Sequence, residues 1–303
     1  MLLKLFDPSF LKKLQALQLN SRRASLMNLQ GNFISGKRGT GIEFMEYKEY
    51  SIGDDFKHID WNIYGRLDRL YVKLFHAERT LSVYIFFDAS KSMLFPRKDK
   101  KFEYGLKTAL ALSYVGLISQ NRVKIFLLGG ESKSKTRGLV QESPFFYGFH
   151  TIHQIVDFLS QVRPGGIADL GGSVQKTIHK IRDVGAAIII SDFLMQASQY
   201  QRGISFLRFK NFDINAVHIL GFNENNPFNQ KGRLKVRDVE THDERIVYLS
   251  EVNLKKYQMA LKRHQQELKN FCLANKAVYT LANTDTPAEN FIIRELPRMK
   301  VLR

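Results

Sequence analysis

The sequence predicts an α/β fold built on a doubly wound, mostly parallel sheet, and three observations carry that expectation. From about residue 80 onward, short apolar runs alternate with segments of helical period, the pattern that places helices on both faces of a parallel sheet. The runs are rich in Ile, Val, Leu and Phe, as strands buried on both faces are. Composition permits the core this requires: of 303 residues, 44% are hydrophobic and 25% charged, which is ordinary for a globular chain.

The chain opens with "MLLKLFDPSFLKKLQALQL", a short amphipathic helix through Leu11, Leu14, Leu17 and Leu19. Asp7, Lys12 and Lys13 interrupt it before any apolar stretch is long enough for a signal peptide. Next comes the glycine-, aromatic- and acid-rich block "GTGIEFMEYKEYSIGDDFKHIDWNIYGRLDRLYVKLF". Gly39, Gly41 and Gly53 mark turns, Asp54 or Asp55 is placed to cap a short helix through Trp61, and 70–75 has strand character. In this block Trp61 reads as a buried anchor, while Glu43, Asp54, Asp55 and Asp60 are available to pair with Lys57, Arg66 and Arg69. Residues 1–79 form one region, helix plus extended block, packing on a main domain of 80–303.

In that domain the strands are expected over 81–87, 123–128, 186–190, 214–220 and 277–281, and helices over 102–120, 150–161, 172–182, 199–209 and 252–275. Along the last helix Leu254, Tyr257, Leu261, His264, Leu268 and Phe271 recur at steps of three and four, a stripe suited to one face of the sheet. The segment "GRLKVRDVETHDERIVYL", 232–249, has strand-like flanks around a polar centre and reads as an inserted β-hairpin.

The formal charge of +17 favours acidic partners, and an electrostatic binder of nucleic acid or an anionic membrane surface is the alternative functional reading. Arg97–Lys101, Lys133–Arg137 and Lys231–Arg237 are the basic clusters, and solvated faces are the plainer account of each. The single cysteine, Cys272, reads as a small packed thiol. No stretch approaches the roughly 20 apolar residues of a membrane span. A cytoplasmic protein is expected.

The chemistry centres on "YIFFDASKSM", residues 84–93. With 81–87 a buried parallel strand, Asp88 falls at its carboxyl end, where open α/β sheets place their ligands. Asp88, Ser90 and Ser92 alternate, so an extended loop aims three oxygens at one point, and Asp192 follows the strand "AAIIIS" in the same way. Hard oxygen donors without sulfur or imidazole suit Mg²⁺, and the same residues also fit a vestigial polar site. His150 and His153 lack further ligands, no G-x-S-x-G elbow is present, and "LLGGES" lacks the Lys-Ser/Thr pair of a phosphate loop. The chain is expected not to be an enzyme.

These residues resemble the von Willebrand factor A domain and its metal-ion-dependent adhesion site. The resemblance implies that Ser90 and Ser92 ligate magnesium directly, with Asp88 and Asp192 acting mostly through water and one position open to a partner's carboxylate. "GGIADL", 165–170, stands where a threonine-bearing loop is usual; Ala168 takes the threonine's place, with Asp169 or Ser173 as candidate replacements. Over nearly the whole chain, "GTGIEF", "EYSIGDDFKHIDWNIYGRLDRLYVKLFHAER" and "YIFFDASKSM", in that order, are similar to the bacterial domain-of-unknown-function 58 family. "IIISDF" and "RDVETHDERIVYL" agree, whereas Lys48, Lys57 and Gly65-Arg66 depart from the family pattern. That resemblance implies an adaptor or cofactor of a MoxR-type AAA+ ATPase, acting on an unknown client protein in the maturation of proteins or metal centres.

Overall fold

The structure is a computed structural model that describes residues 6–19, 42–54, 56–77, 80–130, 139–181, 183–225, 232–237 and 244–302. The chain divides into two compact units, Arg22–Thr80 and Met1–Ser21 joined with Leu81–Arg303. The first helix, α1 (Pro8–Gln15), thus goes with the sheet and not with the block that follows it. Phe10 and Leu14 on α1, with Phe6 before it and Leu19 after it, are buried in the sheet unit's core.

In the smaller unit an antiparallel pair, β1 (Ile42–Glu49) and β2 (Tyr71–Ala77), flanks a short helix, α2 (Trp61–Leu67). Asp60 caps α2 by accepting from Asn62 N at 2.9 Å. Asp54 instead closes its own turn, accepting from Ser51 N at 2.9 Å and Lys48 Nζ at 3.0 Å, and Asp55 lies outside the described residues. Trp61 is 65% exposed and not the buried anchor expected, because α2 buries no side chain at all. Asp60 pairs with Lys73 at 2.8 Å, a strand partner that local spacing did not indicate.

The larger unit runs β3 (Ser82–Ala89), α3 (Lys101–Ile118), β4 (Arg122–Gly129), β5 (Leu139–Glu142), α4 (Ile152–Ser160), α5 (Leu170–Thr177), β6 (Ala186–Ser191), α6 (Ala197–Phe209), β7 (Asp213–Leu220) and a short turn of helix, α7 (Phe222–Asn225). A hairpin, β8 (Gly232–Arg237) with β9 (Glu244–Leu249), precedes α8 (Glu251–Ala274) and β10 (Val278–Asn283). The six-stranded sheet has the order β10-β7-β6-β3-β4-β5 and is parallel except for β5. β5 was not expected, since four residues carry too little pattern to distinguish a strand from a loop. The fold is the doubly wound α/β architecture, of von Willebrand A-like type, that the sequence predicted.

Side chains on β3 alternate between two cores. Val83, Ile85 and Phe87 join one side with α1, α3 and α4, while Tyr84 and Phe86 join the other with α5, α6 and α8. This is the period of two that a strand buried on both faces must show. In α8 Leu254, Leu268 and Cys272 are buried, and burial pushes the Cys272 thiol up to about 12, so it stays an unreactive packed group. The stripe's other members lie nearer the surface, Tyr257 being 42% exposed.

Candidate functional site

From β3 the chain winds to β4 on one side; it returns to β6 on β3's other side and continues outward to β7. The carboxyl ends of β3 and β6 therefore flank the switch point, where neighbouring connections diverge and leave a crevice. Asp88 ends one strand and Asp192 follows the other. The Phe87↔Ile190 register sets the next residues, Asp88 and Ser191, side by side on the same face.

The cluster can be followed bond by bond. Ser191 Oγ donates to Asp88 Oδ2 at 2.5 Å, and Ser90 N donates to Asp88 Oδ1 at 2.9 Å. Ser90 Oγ lies 2.9 Å from Ser92 Oγ, which donates to Asp192 Oδ1 at 3.2 Å; Leu194 N reaches the same oxygen, also at 3.2 Å. Asp192 Oδ2 accepts from Lys101 Nζ at 2.9 Å, and that ammonium also donates to Glu224 Oε1 at 2.6 Å. Gly221 N holds the other Glu224 oxygen at 2.8 Å. Beside them, Asp99 accepts from the backbone N–H and side-chain amide of Asn223.

Asp88, Ser90, Asp192 and Lys101 are all at most 2% exposed. Burial, and then the charge of Asp192, raise the Asp88 pKa from an ordinary 3.8 to about 7, against the lowering hydrogen bonds from Ser191 and Ser90. For Lys101, burial acts to lower the pKa, but Asp192 and Glu224 outweigh it and the net shift is upward. Burial likewise raises Glu224 despite Lys101. Behind Asp192 the ring of His218, 2.8 Å from the Tyr279 hydroxyl, is held neutral, its pKa lowered by burial to about 3.

Close backbone approach shapes the loops. Gly165 N donates to Ala89 O, Lys91 N to Gly166 O and Gly130 N to Gly165 O, which stitches "GGIADL" to the ends of β3 and β4. At Gly129, with φ +72°, a Cβ would fall 3.0 Å from Ser90 N and Cα and 3.1 Å from Gly165 O. Gly129→Ala is therefore expected to cost about 1–3 kcal/mol from backbone strain at a site of fixed geometry. Chemical denaturation measures that loss, and a midpoint equal to that of the wild type would refute the account.

The sequence-derived residues divide clearly. Asp88, Ser90, Ser92 and Asp192 come together. Asp169 is spent on capping α5, where its Oδ1 accepts from Gly172 N at 2.9 Å. Ser173 is fully buried and its hydroxyl has no hydrogen-bond partner, and Ala168 packs into the apolar core. Three members were missed: Ser191, Lys101 and Glu224. Ser191 was legible, because a hydroxyl abreast of Asp88 follows from strand parity. Lys101 was not, since in "RKDKK" it looks like any solvated basic residue; in the structure Lys98 and Lys100 stay exposed, whereas Lys101 and Asp99 turn inward.

Do these groups fit Mg²⁺? Ligands about 2.0–2.1 Å from an octahedral ion lie about 2.9 Å apart, and the Ser90–Ser92 and Ser92–Asp192 spacings of 2.9 and 3.2 Å agree. The same spacings are hydrogen bonds, however, and the remainder of the set departs from a metal site. A core methyl at Ala168 replaces one hydroxyl, Asp169 is engaged at a helix end, and an ammonium already occupies Asp192. The residues do not fit the magnesium site of the resemblance.

Fold and cluster together define a von Willebrand A-like α/β protein with a buried polar cluster at the switch point of its sheet. More particularly, the chain belongs to the family described as protein of unknown function DUF58, whose sequence profile matches residues 46–267. It is 25% identical over 189 residues to uncharacterized proteins of Mycobacterium bovis and Mycobacterium tuberculosis, covering 62% of this chain and 58% of those relatives. Among solved structures, the conserved hypothetical protein BatB from Bacteroides thetaiotaomicron aligns with a TM-score of 0.43 and 16% identity, covering 72% of this chain and 98% of that one. An aerotolerance-related membrane protein from Bacteroides fragilis aligns with 0.41 and 14%, covering 72% and 99%. No helix among the described residues is long and apolar enough to cross a membrane.

Proposed function

We propose that this protein is a non-enzymatic protein-interaction module that docks its partner on the carboxyl-terminal rim of the sheet, as adaptor or cofactor of a MoxR-type AAA+ ATPase. One observation carries the docking surface. Around the buried polar cluster, the loops after β3, β6 and β7 expose Leu94, Phe95, Leu194 and Phe222, and Leu194 is 52% exposed. Apolar side chains ringing a rigid polar centre give a surface with both burial energy and orientation, the combination found at protein interfaces. A cleft of about 310 Å³ lined by Lys98, Asp99, Asn223 and Asp285 continues the same rim and adds polar contacts. The choice of ATPase rests on family membership and the rim on geometry, so the two parts are tested separately.

The test is co-purification with a MoxR-type ATPase encoded beside a gene of this family, using the wild type, Leu194→Glu and Phe95→Glu. Each charge is expected to weaken capture at least about fivefold, as for a central apolar contact worth over about 1 kcal/mol, while leaving the melting temperature unchanged. Capture by both variants equal to that of the wild type would reject the rim. Retention on DNA that collapses between low and moderate salt would favour the electrostatic alternative.

A further inference from the structure

We infer that Lys101 is the resident cation of this site: from beside the Ser90–Ser92 position its ammonium balances the carboxylate charge that a divalent ion would otherwise balance, and the site works without metal. The inference rests on the cluster's geometry alone and holds whichever partner docks above it.

Separate loops that gather Asp88, Asp192, Glu224 and Asp99 at the carboxyl ends of the strands concentrate negative charge in a place with little water to screen it. Such a cluster requires a cation. Lys101 supplies one from the first turn of α3, reaching Asp192 Oδ2 at 2.9 Å and Glu224 Oε1 at 2.6 Å with no exposed surface. A lysine at that position opposes the helix dipole, whose positive end lies there, so the helix itself provides no reason for it. The two carboxylates do.

Every other oxygen of these carboxylates also has a donor. Asp192 Oδ1 receives Ser92 Oγ and Leu194 N, Glu224 Oε2 receives Gly221 N, and Asp88 receives Ser90 N and Ser191 Oγ. A divalent ion entering beside Ser90 and Ser92 would have to share Asp192 with an ammonium already bonded to it. Two like charges on one carboxylate, in a place with little water to screen them, repel each other strongly. Ala168 in the core removes the hydroxyl that would offset part of it. Lys101 thus performs the electrostatic task of the ion and, being tethered, costs no binding entropy.

Mn²⁺ titration followed by electron paramagnetic resonance tests this on the isolated chain, with Lys101→Met and Asp192→Asn as variants. The wild type is expected to show no saturable Mn²⁺ binding up to millimolar concentration. Lys101→Met is expected to gain a saturable site that the double variant with Asp192→Asn lacks, and Mg²⁺ is expected to recover part of its lost melting temperature. Micromolar binding by the wild type that Asp192→Asn abolishes would overturn the assignment, and that measurement does not depend on whether Lys101→Met folds. Because no partner is present, this failure would leave the rim-docking proposal standing, and failure of the rim variants would leave the Lys101 assignment standing.

Discussion

Lys101→Met is expected to destabilise the larger unit by about 3–5 kcal/mol, the cost of removing one partner from a buried ion pair and leaving the other charges uncompensated. Methionine keeps most of the stem's volume, so the loss reports the ammonium and not a cavity. Asp192 and Glu224 would then face each other with no cation between them, adjacent to Asp88 and Asp99. Urea denaturation near pH 7 measures it as a lower midpoint at unchanged slope. The triple variant with Asp192→Asn and Glu224→Gln is expected to recover much of the loss, since removing the charges together leaves none stranded. A loss for Lys101→Met of less than about 1 kcal/mol, the range of surface ion pairs, would show that the pair is not buried in solution.

Asp88→Asn is expected to change how stability depends on pH. In the folded chain Asp88 is raised from 3.8 to about 7, so across that window the folded state holds a proton that the unfolded state has released. Its contribution therefore falls as pH rises from about 4 to 7 and is flat above, with a slope of at most about 1.4 kcal/mol per pH unit. Glu224, also raised, acts in the same direction. His218 acts oppositely: lowered from 6.5 to about 3, it leaves the unfolded state with the extra proton, so its contribution grows with pH across that range. In the wild type these slopes offset one another. Asp88→Asn removes one falling component while keeping a polar amide for Ser90 N and Ser191 Oγ, so stability should climb more steeply from about pH 4 to 7 than in the wild type. Melting temperatures across that range measure this, and parallel profiles would refute the burial of an ionisable Asp88.

Much of the fold was legible because its signals are local. Five parallel strands and their helices are marked by apolar runs and helical period, and the hairpin of β8 and β9 falls where its flanks indicated. Strand ends were less so: β3 runs on through Asp88 and Ala89, because pairing with Leu128 and Gly129 of β4 continues past the apolar run. Likewise α5 begins at Leu170, before the expected 172, since Asp169 caps it. Asp88, Ser90, Ser92 and Asp192 were identifiable from their position after buried strands, which geometry alone makes a binding edge.

What the sequence by itself determined was the doubly wound sheet and the acids and hydroxyls at its switch point, because period, strand parity and loop position are properties of neighbouring residues. What only the tertiary structure decided was where the charges go. Lys101 and Glu224 stand 123 positions apart, and nothing near either one indicates that they meet. Whether a lysine is solvated or buried depends on which carboxylates the completed fold brings within a hydrogen bond of it.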